Sequence, residues 1–314
     1  MWHRAVRQIE CGLMRHALLA LLIALVAFAH AADAKRIYQY RDANGILHFT
    51  DRKPDEPAVE VKETIVKVDR QPIVDLVTSD VGTTRKLGFR NRLGGPVELE
   101  LSFGTLENMV TEPESPIRVV LPPQREIDVA SLRAAEAGKT SRYSLGYKAV
   151  PGDPAAKPRL DYAYGVPLPR ESGWEIHQGF GGVFSHKDPQ SFHAVDFAVP
   201  EGTPVLAART GVVMQVEEDF DGAGLDTEKF ATRANNVRIV HDDGTMAVYA
   251  HMKLESITVG IGQYVREGQK IGLSGNTGFS SGPHLHFAIQ VNGGLELRTI
   301  PFRFVDLDIP QPAP

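Results

Sequence analysis

The chain is predicted to be mostly β: a small β-hairpin module, a β-sandwich middle domain and a β-rich C-terminal domain. Three observations carry this reading. Short runs that alternate apolar and polar residues recur through residues 62–160 between Gly and Pro clusters. An Asn-Gly pair near the N-terminus lies between two β-prone runs. From Gly173 onward, short runs rich in Val, Ile and Gly replace any helical apolar stripe, and seven of the eleven histidines fall between His177 and His286.

Residues 1–34 read as a signal peptide. Arg4, Arg7 and Arg15 precede the apolar run Ala17–Ala29, and Ala29-His30-Ala31 or Ala32-Asp33-Ala34 supplies a small-residue cleavage site. The run is shorter than the roughly 20 residues that span a bilayer, so no stable membrane span is expected after cleavage. An uncleaved inner-membrane anchor is the alternative. The only cysteine, Cys11, lies upstream of the run. The mature chain then has no thiol, its stability rests on its core, and any metal must sit on His, Asp or Glu. A net charge of -5 argues against nucleic acid as a partner.

Residues 35–61 form the hairpin module, with Ile37, Tyr38 and Tyr40 before Asn44-Gly45 and Ile46, Leu47 and Phe49 after it. This stretch resembles a small module of unknown function found on exported Gram-negative proteins. Residues 62–160 form the sandwich, as in Val97-Glu98-Leu99-Glu100-Leu101, and carry no His/Asp/Glu cluster. The Pro-rich stretch 150–158 reads as a linker or a long hairpin tip. Residues 161–173 are a connector, 174–305 the C-terminal domain and 306–314 a tail.

Three segments of the C-terminal domain carry chemistry. In Gly282-Pro283-His284-Leu285-His286-Phe287, period-2 alternation puts both histidines on one strand face. Gly275, Gly278 and Gly282 bring the chain in through a small loop. His251 ends a strand returning from the Asp242-Asp243-Gly244 turn, while His241 belongs to the hairpin edge. Asp196 lies in the apolar run Ala194–Val199, where a carboxylate needs a partner.

Asp196 to Val205, Ala208 to Val213, Tyr249-Ala250-His251, Gly272 to Gly278 and Gly282 to Phe287 together resemble the M23 family of zinc peptidases, the lysostaphin-type (LAS) peptidoglycan endopeptidases. The resemblance implies a β-rich catalytic domain with Zn2+ as cofactor. It implies Asp196 and His286 as metal ligands, and His284 and His251 as catalytic. The family usually shows His-x-x-x-Asp, but four residues before Asp196 stands Phe192. His193 is three before, an odd spacing that faces away on a regular strand. His186, in a preceding loop, is therefore favoured as the first ligand, with His193 as the alternative.

The implied reaction is zinc-dependent hydrolysis of peptide cross-links in peptidoglycan stem peptides, in the periplasm of a Gram-negative bacterium (or after secretion). The alternative is a non-catalytic activator of other wall hydrolases. The reading leaves room for a regulatory protein partner.

Overall fold

The structure, a computed structural model, describes residues 7–8, 36–41, 46–50, 61–65, 71–230 and 233–311. The apolar run, the cleavage sites and the Asn44-Gly45 turn lie outside the described residues.

The N-terminal module is a three-stranded antiparallel sheet. Strand β1 (Arg36–Arg41) pairs on one side with β2 (Leu47–Thr50), as the hairpin reading expects, and on the other with β3 (Lys62–Ile65). Residues 62–65 thus belong with the hairpin rather than with the sandwich, because β1 offers a second edge that a hairpin alone would leave unpaired.

The sandwich packs two antiparallel sheets. One has the order Arg7–Gln8, β10 (Arg142–Pro151), β6 (Val97–Glu107), β8 (Ile117–Leu121). The other has the order β4 (Val74–Val81), β5 (Thr84–Asn91), β9 (Glu126–Ala134), β7 (Met109–Glu112). Val97, Leu99 and Leu101 alternate inward and are fully buried with Leu87, Phe89, Leu121 and Leu132.

Glu98, which alternation points outward, is nonetheless buried, because the C-terminal domain covers that face. Its carboxylate accepts the backbone N–H of Leu295 at 2.6 Å. Met214 and Met246 of the C-terminal domain complete the sandwich core. Gly94 N–H donates to the Met214 carbonyl at 2.8 Å. Each buried methionine contributes about 1.5–3 kcal/mol that either domain alone would lose.

The C-terminal domain is built on an eight-stranded sheet. Its order is β11 (Glu175–Gln178), β12 (Ala194–Ala198), β17 (His284–Asn292), β15 (Met246–Ala250), β14 (Asn236–Val240), β13 (Gly211–Glu217), β16 (Tyr264–Val265), with β18 (Leu297–Thr299) also on β17. Val195, Phe197, Leu285, Phe287 and Ile289 fill its core. Met246 and Asn292, which meet the sandwich, stand at the opposite strand ends from His251 and His284, so the sandwich docks away from the histidines.

The connector and tail are parts of this domain. Ala163–Tyr164 pairs in parallel with Arg303–Phe304, and Tyr164 and Leu168 are buried in its core. Pro310 accepts the Phe180 N–H at 3.2 Å. The Pro-rich stretch is neither free linker nor hairpin tip: Arg159, just past it, holds Asp242 at 2.5 Å on the β14–β15 turn.

Candidate metal and catalytic site

Strand pairing assembles the site. On β12 and β17, Asp196 lies directly opposite His286, and Ala198 opposite His284. Strand β11 extends both rows, with Gln178 opposite Asp196 and Glu175 opposite Ala198. Alternation sends Val195, Phe197, Leu285 and Phe287 into the core and leaves Asp196, Ala198, His284 and His286 on the other face. Cross-strand neighbours sit about 4.5–5.5 Å apart, close enough for one ion to bridge them.

His286 Nδ1 lies 2.8 Å from Asp196 Oδ1, and His186 Nε2 lies 3.2 Å from Asp196 Oδ2. One donor atom from each of His186, Asp196 and His286 falls within 4.8 Å of the others, a set that could hold a metal ion. His186 arrives from the loop after β11 and is fully buried. Its Nδ1–H donates to the Gly179 carbonyl at 2.8 Å, which fixes the tautomer and leaves the Nε2 lone pair inward. That buried Nε2 has no hydrogen-bond donor. A lone pair facing a carboxylate oxygen calls for a cation between them, so this donor set fits a divalent metal that takes N and O ligands and keeps an open position.

His193 is not in this cluster. Its Nδ1 lies 3.3 Å from the Thr299 carbonyl, and its ring packs edge-on against Phe180 and Phe192. The odd spacing from Asp196 puts it on the far face, and β12 begins only at Ala194, so no bulge turns it back.

His251 follows β15 with φ of 62°, a left-handed conformation that costs a non-glycine residue roughly 1–2 kcal/mol. That turn throws its ring over the neighbouring strand, 4.3 Å from the His284 ring centroid and 5.9 Å from that of His286. Its Nδ1–H donates to the Thr277 carbonyl at 2.6 Å. His284 Nδ1–H donates to the Gly282 carbonyl at 2.8 Å. Each ring therefore keeps Nε2 free.

Burial, with the nearby His284 and His286, pushes His251 down to about 3; burial likewise lowers His284. Both are neutral bases at pH 7. Burial works to raise Asp196, but the His186 and His286 imidazoles beside it outweigh this and hold the carboxyl well below its ordinary range. Burial also opposes a charged His186, yet the Asp196 carboxylate raises it overall.

Two supporting residues were not apparent from sequence. Gln178 donates Nε2–H to Asp196 Oδ2 at 2.8 Å. Asn235, fully buried, pairs with both backbone groups of Phe220. Its own N–H donates to Thr277 Oγ1 at 3.1 Å and so braces the loop that orients His251. Asn236 starts β14, and its side-chain amide donates to the Ala234 carbonyl. Gly275 is a close approach: a Cβ there would lie 2.5 Å from the Lys253 nitrogen. A polar residue in a short strand before a Gly-rich turn is the only sequence mark that Gln178 carries.

Residues 190–296, which hold Asp196, His251, His284 and His286, match peptidase family M23. This segment is a peptidase family M23 domain. Residues 20–73 match a domain of unknown function, DUF4124. The chain is 38% identical to an uncharacterized metalloprotease of Haemophilus influenzae over 37% of its own length and 21% of that protein. It is also 38% identical to the peptidoglycan DD-endopeptidase ShyA of Vibrio cholerae over 40% of its length and 27% of that protein. The matched region thus spans about a quarter of these relatives. Among solved structures, the catalytic domain of the prophage-encoded M23 protein EnpA of Enterococcus faecalis aligns at 28% identity, covering 44% of this chain and 95% of that one with a TM-score of 0.33. The M23 domain contributes every residue of the His/Asp cluster except His186, which lies four residues before the matched segment.

Proposed function

We propose that this protein is a zinc endopeptidase that hydrolyses peptide cross-links of bacterial peptidoglycan in the periplasm. The observation that carries this is the convergence of His186, Asp196 and His286 around one centre, with two neutral histidines beside it.

In this reading His186, Asp196 and His286 hold the metal. Zinc, when bound, supplies Lewis acidity that polarises a carbonyl and lowers the pKa of water. Hydrolysis breaks the amide C–N bond, adds hydroxyl to the carbonyl carbon and delivers a proton to the leaving nitrogen. His284, held neutral with Nε2 free, accepts the proton of the attacking water and returns it to the leaving amine. His251, fixed by Thr277, presents Nε2 beside it to orient the water and to stabilise charge developing on the carbonyl oxygen.

An open cleft of about 360 Å³ adjoins His284, lined by Gly173, Glu175, Ala198, Val199, Pro200 and Pro283. Among its lining residues the small Ala198 lies directly opposite His284, so an extended peptide in the cleft would run beside that histidine. The intact cluster favours the enzyme over a non-catalytic activator. The test is muropeptide release from purified sacculi by the mature protein, with His284→Ala alongside. Loss of cross-linked dimers that the substitution and a chelator abolish supports the reading; zinc uptake without any release from the wild type overturns it.

A further inference from the structure

The metal cluster departs from a purely strand-borne site in one respect. Asp196 and His286 are fixed by strand register, but His186 rides on a loop. Ligand geometry at zinc tolerates only small displacements, so something must hold that loop at a constant distance from Asp196.

Gln178 has the contacts to do so. Its Nε2 donates to Asp196 Oδ2 at 2.8 Å and to Ser185 Oγ at 2.8 Å. Its Oε1 accepts the backbone N–H of Phe184 at 3.0 Å and of Ser185 at 3.3 Å. One amide thus grips the two residues immediately before His186 and, with its other end, the carboxylate. The remaining partners of Asp196, His186 and His286, are themselves prospective ligands whose lone pairs turn to an ion. Gln178 is then the hydrogen-bond donor left to orient the carboxylate.

The seat is shaped for this side chain. A Cβ at Gly182 would lie 2.0 Å from Gln178 Cγ and 2.7 Å from its Oε1. The register that places Gln178 opposite Asp196 includes an irregularity between Ile176 and Gln178, which re-aims the side chain at the end of β11.

We infer that Gln178 is a positioning residue that ties Asp196 and the His186 loop into one unit and thereby sets the affinity of the site for zinc. The inference rests on the reading of His186, Asp196 and His286 as the zinc site. Gln178 does not touch the reacting atoms; it acts through the ligands.

The experiment is zinc affinity of the full mature chain by chelator competition, for wild type, Gln178→Met and Gly182→Ala. Methionine keeps the length and packing but offers no amide. Alanine at 182 leaves the glutamine in place and displaces its side chain. Both are expected to weaken zinc binding roughly 10–100-fold, the usual consequence of losing an outer partner of a metal ligand. Amide hydrogen exchange at Phe184 and Ser185 is expected to accelerate in both variants while β17 keeps its protection. A wild type that takes up no zinc removes the underlying reading of the site. A wild type that binds zinc, with either folded variant binding within about threefold of it, overturns the positioning role. A residue that served only the fold would lower the melting temperature and leave affinity at a permissive temperature unchanged.

Discussion

Replacing His186 by alanine separates the loop ligand from its strand-borne rival, His193. Structural zinc sites with four ligands bind with about 10–16 kcal/mol, or roughly 3 kcal/mol per ligand. His186 is fully buried with Nε2 3.2 Å from Asp196, so alanine there removes one of the three donors of the cluster and leaves at most a water in its place. The expected loss is therefore about 3 kcal/mol, a zinc affinity weakened by roughly 10²-fold. His193→Ala removes an imidazole whose contacts are Thr299, Phe180 and Phe192, none of them in the cluster. It is expected to leave zinc affinity unchanged while lowering the melting temperature modestly. The assay is chelator competition near pH 7.5, at a temperature where circular dichroism shows each variant folded. The reasoning fails if His193→Ala weakens zinc binding as much as His186→Ala does.

Three further outcomes follow from the same geometry. Burial lowers His241 to about 4 from its ordinary 6.5, so the unfolded state binds the proton first and stability present above pH 6.5 is lost as pH falls toward 4. At 1.36 kcal/mol per pH unit this amounts to roughly 3 kcal/mol, and urea titrations at several pH values should show that slope diminished in His241→Gln. Residues 161–314 without the sandwich would expose Met214 and Met246 and leave Leu295 N–H without Glu98; that fragment should melt well below the full chain, and equal melting temperatures would contradict the shared core. Ala198→Leu fills part of the cleft beside His284, so KM for peptide substrates should rise several-fold with zinc affinity unaltered, as steady-state kinetics with parallel metal titration would show.

The β class, the hairpin strands and the placing of His284 and His286 on one strand face were legible in sequence because all three rest on period 2, which is local; that Asp196 joins them rests on strand pairing. His251 was legible as a strand end, but not the left-handed turn that carries its ring toward His284. For the first ligand, sequence could argue only against His193; nothing local says where a loop ten residues upstream of Asp196 will fold.

Tertiary structure decided what depends on contacts distant in the chain. Glu98 reads as an outward strand residue and is buried because another domain, nearly 200 residues on, lends it a backbone donor. Residues 161–173 read as a connector and lie in the core because Tyr164 finds a parallel partner at Phe304. Gln178 reads as one more polar strand residue, and only the register of β11 against β12 sets its amide on Asp196. Alternation along a strand is fixed by the backbone of that strand and is written in order along the sequence. The partner across the sheet, and the loop a side chain reaches, are fixed by burying apolar area over the whole chain, and no local pattern encodes them.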